Sequence, residues 1–484
     1  MNLMFQVWMD LMRVLLAMGV IFVLLPVVAV RAGDKWRGPW LALIVPAALR
    51  TVFLIELACI LLGSWRLCFP GGVMSIYALW LGTSVVLASR RRWVYEGSSW
   101  KSVYGKIWRW MDRPGLAKSI PGVTISVSQT AILLGLIITA SSAQFLWYPL
   151  TNYRFQGIQT YARVISLQTL VAGNAWNADG SVAFLAPVVF LSGLDAATVI
   201  RLSAPVFYAL LIGAVAWCAF EYSGALWCST FAAGFFWLYT RNFGLDSAGE
   251  PAGAEIGAMF LVIAAATIRR SQGYAACAAL LAWMIEPAFP GILLAALASI
   301  LLALLVYWCY SRSPRLVRQT AATAFLFVLG FSLNSTLRSA PPDGPYEYES
   351  SARMAARIAR EFPRNRWVLV SPVHEAAYSY GRGWHVELTD FVQNFSPAKV
   401  ANPRFRFPYQ VDNIFVIVEK RPLPQVAKLA LPGSPRRSFF YSTTAGRASM
   451  EFQAARLIEA YLSAHSDARV YFEDKDLIIY CISR

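Results

Sequence analysis

The stretch ATVIRLSAPVFYALLIGAVAWCAFE, residues 197–221, holds only two charges, Arg201 and Glu221. Runs of about 18 or more apolar residues read as bilayer spans. Working outward from this run, the same pattern recurs at 11–30, 39–63, 73–89, 124–147, 224–240, 252–268, 272–286, 287–309 and 319–338. That makes ten predicted spans. Composition agrees: 57% of the 484 residues are hydrophobic and 14% are charged, against about 25% charged in ordinary soluble domains. The mean hydropathy is +0.49. A soluble core of this length has no room for so much apolar surface. The reading is a polytopic α-helical membrane protein of about ten transmembrane helices.

The net charge of +16 would suggest nucleic acid in a soluble protein. Here much of it lies between apolar runs, as in cytoplasmic loops, because Lys and Arg resist translocation. The basic segments are 31–38, 90–118, 269–270 and 311–318, and ten spans put all four on one side. Both termini and the C-terminal domain then lie outside the cytoplasm, in a bacterial-type inner membrane. Membrane lipids are expected partners and nucleic acid is not. The first apolar run carries no small-residue cleavage site and is expected to be retained.

Seven cysteines without a CxxC pair argue against a disulfide framework or a zinc site. The three histidines, His374, His385 and His465, all fall in the C-terminal part, which excludes a multi-histidine centre within the spans.

Four regions follow: three N-terminal spans (1–90), a basic loop (91–123), a seven-helix core (124–338) with a long outer loop (148–196), and a soluble domain (339–484). Within the loop, residues 156–172 carry one apolar face and predict an amphipathic surface helix. Residues 181–193 are apolar but too short to span. The cluster SAPPDGPYEYES at 339–350 marks the domain boundary. Beyond it, helices are predicted at 351–361 and 449–465. Strands are predicted at 366–371 and 413–420 and as a pair within 468–483, which gives an α/β domain. The Pro-, Ser- and Arg-rich segment 421–448 is expected to be a loop.

No nucleophile elbow, phosphate loop or dinucleotide fingerprint occurs. Polar residues gather instead at the outer ends of spans. Glu250 and Glu255 flank a PAGA linker, and acids at a membrane boundary are costly unless solvated or paired. The competing reading is a plain solvated loop. Arg163 and Arg201 fall near the same face, where a guanidinium fork matches phosphate; the competing reading is snorkelling to headgroups. Arg50 and Glu56, six residues apart in the second span, read as structural polar contacts. In SPVHEAAYSYGRGWHVELTDF (371–391), His374, Glu375, His385, Glu387 and Asp390 match no zinc spacing, and the alternation in WHVELTDF fits a strand.

The text TYARVISLQTLVAGNAWNADG (160–180), then FLAPVVFLSGLDAATVIRLSAPVFYAL (184–210) and LDSAGEPAGAEIGAMFLVIAAATI (245–268), resembles the outer loops of the membrane glycosyltransferases of the C superfold. These include protein mannosyltransferases, aminoarabinose transferases and oligosaccharyltransferases. The resemblance starts near residue 124 and implies a polyprenyl-phosphate-linked sugar as donor, its phosphate held by basic residues and in some members by a divalent metal ion. It assigns carboxylate roles to Asp179, Glu250 and Glu255, phosphate contacts to Arg163 and Arg201, and substrate contacts to Tyr161 and Trp176. One departure stands out. The family's loop aspartate aligns with Gln159, and an amide cannot take a proton as a general base.

Two expectations follow. The chain transfers a sugar from a lipid-phosphate carrier to an acceptor on the outer face. Alternatively it is a non-catalytic scaffold or anchoring subunit, held to other membrane protein subunits through its three extra spans. A transporter is a third class, but no inverted repeat or broken helix is apparent.

Overall fold

A computed structural model describes residues 3–27, 40–64, 70–89, 127–155, 158–172, 180–223, 226–242, 253–267, 272–285, 346–372, 375–379, 382–424 and 444–483. The chain is mostly helical with a C-terminal sheet.

The apolar runs form helices: α1 (Leu3–Met18), continued by a π-helical turn at Gly19–Leu24, α2 (Trp40–Ser64), α3 (Pro70–Ser89) and α4 (Val127–Thr151). After α4 come α5 (Ile158–Val171), a 3-10 helix at Gly180–Leu185, α6 (Ala186–Ser192) and α7 (Ala196–Ser223). Then follow α8 (Leu226–Asn242), α9 (Gly253–Thr267) and α10 (Gln272–Ile285). Eight of the ten predicted spans thus coincide with helices, and those at 287–309 and 319–338 lie outside the described residues. Judged by both length and apolarity, two of the described stretches are able to cross a membrane, Phe5–Val27 and Ala196–Glu221.

The helix α7 is the hub of this part. It packs against α1, α4, α5, α8 and α9, which is why its hydrophobic residues face neighbours along most of its length. Its entry is set by Gly193, whose φ of +67° lies in the left-handed region. There a side chain would be strained, and the Gly193 N–H closes α6 by donating to Val189 O at 3.0 Å.

The segment predicted as an amphipathic surface helix differs from expectation. It forms at α5, but its polar residues Thr160, Arg163, Ser166, Gln168 and Thr169 are buried along with its apolar ones. The reason is that α5 is packed by the 3-10 helix and α7 and also by the C-terminal domain, so no face is left for a headgroup layer.

In that domain α11 (Glu349–Glu361) leads into β1 (Trp367–Ser371), then α12 (Ala376–Ser379), β2 (Trp384–Glu387), α13 (Leu388–Asn394) and α14 (Pro397–Val400). The strand β3 (Asn413–Glu419), helix α15 (Thr444–Leu462) and strands β4 (Ala468–Glu473) and β5 (Leu477–Ser483) complete it. The sheet runs β2-β1-β3-β5-β4. Parallel pairs join β1 to β2 and β3, and antiparallel pairs join β5 to β3 and β4. Central strands buried on both faces read as continuous apolar runs, and WVLVS and NIFVIVE do so. Asp474 accepts the amides of Asp476 and Leu477, each at 2.8 Å, and so turns β4 into β5.

One strand is shorter than its alternation suggests. In WHVELTDF only Trp384–Glu387 is strand, and Leu388 opens α13. Burial of Leu388, Phe391 and Val392 on one helical face outweighs the period-two pattern. The predicted loop 421–448 lies largely outside the described residues, and α15 already begins at Thr444.

Inside the domain, Arg447 of α15 forks onto Glu419 of β3 at 2.9 and 2.5 Å and donates to Tyr346 O at 2.9 Å. Both side chains of this pair are buried. It ties the domain's entry segment to its sheet.

Candidate functional site

The C-terminal domain grips the chain between α4 and α5. Glu349, in the first turn of α11, accepts the amides of Tyr153 at 2.7 Å and Arg154 at 3.1 Å. Glu349 thereby satisfies two backbone donors at a part-buried turn. Tyr378 of α12 donates to Tyr153 O at 2.9 Å. Phe155 lies edge-on to Tyr161 at 5.2 Å and stacks on Tyr378 at 5.9 Å. Beneath these rings Glu347 is fully buried, and one carboxyl oxygen meets the hydroxyls of both Tyr161 and Tyr378. Burial pushes its carboxyl up to about 8, against smaller lowering effects from the two hydroxyls. Glu375, paired with Ser351, is likewise held well above the usual carboxylate range by burial and then by the nearby Glu347.

A second set of contacts closes the seam around the start of α7. Asp195 accepts from the Thr198 amide at 2.7 Å and hydroxyl at 3.0 Å, the arrangement of a helix N-cap. Its other neighbour is Arg382, 3.6 Å away across the seam. Burial alone would raise the Asp195 carboxyl, but Arg382, the Thr198 donors and Arg360 outweigh it and hold it low. Arg360 of α11 reaches Asp10 of α1 at 3.6 Å and the Thr198 hydroxyl at 3.3 Å.

Between these contacts lies a small cleft that is partly open to solvent. Its walls include Tyr153, Asp195, Thr198, Arg201, Tyr378 and Arg382. Arg201 is 3% exposed. It donates from Nη1 to Asn152 O at 3.0 Å, and its guanidinium carbon sits 4.1 Å over the Tyr153 ring. Its Nη2 is buried with no hydrogen-bond partner among the described residues. A buried guanidinium N–H without an acceptor is expensive. At the amino end of a long helix, with Arg382 opposite, it is placed to take an anionic oxygen.

No protein-family model, curated protein or solved structure matches this chain. The site is therefore read from its own geometry.

Of the residues singled out in the sequence, Arg201 and Tyr161 are both at the seam. Arg201 borders the cleft, whereas Tyr161 is fully buried behind it with its hydroxyl on Glu347. Arg163 is buried on α5. Gln159 lies in α5 and Glu255 in α9, with their side chains outside the described residues. Trp176, Asp179 and Glu250 also lie outside them. Glu56 is buried in α2 beside the Phe184 backbone, and Arg50 is half-buried.

The sequence reading missed Glu347, Glu349, Asp195, Thr198, Tyr378 and Arg382. One signal was present: two glutamates alternating with tyrosines in the YEYES stretch are more than a linker needs.

The cluster around His385 is structural in its contacts. His385 Nε2 lies 3.2 Å from Ser371 Oγ and 3.3 Å from Pro372 O, and burial drives its imidazole down to about 4. Glu387 is raised to about 7 by burial and by Asp390. His374 is outside the described residues. Among the described residues no group of three His, Cys, Asp or Glu side chains converges as a metal site requires.

Proposed function

We propose that this chain is a multi-pass inner-membrane protein of the glycosyltransferase-like type. It holds a polyprenyl-phosphate-linked sugar at the seam beneath an extracytoplasmic domain and transfers the sugar to an acceptor on that face. Ten crossings, which place the four basic segments on the cytoplasmic side, fit this arrangement. So does the spread of exposed large apolar side chains over different helices, among them Leu16 at 71%, Leu79 at 68%, Leu136 at 60% and Phe231 at 69% exposed. Lipid chains are the natural cover for such residues.

The single observation carrying the proposal is the buried Nη2 of Arg201, which has no hydrogen-bond partner among the described residues and lies at the cleft. A phosphate oxygen supplies the missing acceptor, and Arg382 and the Thr198 end of α7 add positive potential. Asp179, Glu250 and Glu255 are the carboxylates that would serve the acceptor, with Arg163, Tyr161 and Trp176 in supporting roles and room for a divalent ion left open by the family resemblance.

The test uses the full chain in nanodiscs with a polyprenyl monophosphate as probe. Arg201→Gln should weaken binding about tenfold or more, the scale of one charge-assisted hydrogen bond. Equal binding by both proteins would reject the site.

A second reading, the non-catalytic scaffold or anchoring subunit, is favoured by two observations. Gln159 stands at the aligned acid position, and the cleft's own carboxylate, Asp195, is engaged by Thr198 and Arg382. Binding without sugar transfer from a labelled polyprenyl-phosphate sugar, unchanged in Asp179→Asn, would select this reading.

A further inference from the structure

The hydrogen-bond set around Glu347 has an uneven count of protons. The Tyr161 hydroxyl lies 3.0 Å from Phe155 O and also contacts Glu347 Oε1. The Tyr378 hydroxyl lies 2.9 Å from Tyr153 O and 3.1 Å from the same Glu347 Oε1. Each phenol has one proton to give. Three buried acceptors thus share two protons whenever Glu347 is ionised. Either a backbone carbonyl or the carboxylate then goes short, and Glu347 Oε2 is buried without a hydrogen-bond partner among the described residues. A proton on Glu347 closes the count. Tyr161 then serves Phe155 O, Tyr378 serves Tyr153 O, and the Glu347 hydroxyl donates to a phenol oxygen. The unpaired oxygen becomes a neutral carbonyl, far less costly to bury than a carboxylate.

We infer that Glu347 is a proton-operated latch: protonated, it completes the hydrogen-bond set that docks the C-terminal domain on Tyr153, Phe155 and Tyr161, and loss of its proton releases the dock.

The charged and titratable surroundings agree with this polarity. Glu375 and Glu349 face Glu347 as like charges, and Arg154 opposes them. Glu349 is itself held by the Tyr153 and Arg154 amides and by Arg353 at 3.4 Å. Arg201 lies near enough to act on Tyr378. None of these supplies the third proton that the acceptors need. Because the docked carboxyl is raised, the docked state holds a proton that the undocked state has lost. Docking stability is complete below the ordinary glutamate value of 4.5 and drains away as pH rises toward about 8. Tyr153, Phe155 and Tyr378 also wall the cleft, so release would open it. The latch itself does not depend on what the cleft binds.

Hydrogen exchange on the full chain in nanodiscs, corrected for intrinsic rates and without added ligand, tests this. In the wild type, protection of the 152–161 segment should fall at least about tenfold between about pH 6 and about pH 9, while β3 stays protected. Glu347→Gln offers an amide donor at every pH and should abolish that fall. A flat wild-type profile, or an unchanged fall in Glu347→Gln, would overturn the latch. Should Glu347→Gln not assemble, Tyr378→Phe removes a donor to the ionised form and should move the midpoint upward; an unmoved midpoint would also overturn it.

Discussion

Tyr161 and Glu347, 186 positions apart, meet through a hydrogen bond between a phenol and a carboxyl that are both sealed from water. That contact joins a helix of the apolar half to the entry of the C-terminal domain, one of the elements packed on α5. Residues in one hydrogen-bond network couple by about 0.5–3 kcal/mol. A double-mutant cycle of Tyr161→Phe and Glu347→Gln, read by thermal unfolding of the full chain in detergent, should show coupling in that range. Strictly additive effects would mean that the two side chains act independently.

The buried pair of Arg447 and Glu419 should be costly to break from one side. Arg447→Met leaves an uncompensated carboxylate beneath the sheet, a loss of about 3–5 kcal/mol. Glu451, which accepts the Glu419 amide at 2.9 Å and is raised well above normal by burial and by Glu419, cannot replace the guanidinium. The measurement is a denaturation midpoint for the domain's tryptophan signal. Near-wild-type stability would contradict this account.

Gly383 admits no side chain. A Cβ there would stand 2.5 Å from the indole of Trp367, which is fully buried in β1. Gly383→Ala should cost about 1–3 kcal/mol through overpacking. Trimming the indole should relieve it, so Trp367→Leu ought to lessen the penalty of Gly383→Ala. A penalty of the same size in both backgrounds would place the strain elsewhere.

His385 should remain neutral well into acid. Its folded value of about 4 lies below the ordinary 6.5, so the unfolded chain binds the extra proton first. Stability is therefore complete above about 6.5 and falls as pH drops toward about 4. Nitrogen chemical shifts of labelled histidine, assigned with a His385→Gln control, should report a neutral ring at about pH 5. An imidazolium signal there would refute the burial argument.

Much of this fold was legible in the sequence because local pattern and final environment agree. WVLVS and NIFVIVE are central strands and look like it, and the apolar runs from 11 to 286 are helices. Three things were hidden. The polar side of α5 looked like a surface because its cover comes from separate elements, one of them in the C-terminal domain some two hundred positions later. WHVELTDF alternates like a strand, yet three residues of α13 gain more by sharing a helical face. The stretch around 339–350 looked like a linker by its prolines and glycines, and its glutamates turned out to be the domain's grip on the rest of the chain. At the candidate site Arg201 was legible by residue type and position. The rest of the cleft was not, because Asp195 and Arg382 meet only after the domain docks.

The strand order carries a consequence for biosynthesis. β5, at residues 477–483, sits inside the sheet next to β3, so the sheet cannot close until the ribosome has passed that point. At about 5–20 residues per second, roughly 10–40 s separate the making of Tyr161 from that of Glu347, and the domain closes later still. Throughout that interval α5 lacks the part of its cover that the C-terminal domain supplies. A cell making this protein must shelter that helix or tolerate its exposure, and a nascent chain stalled before the last strand would present it to quality control.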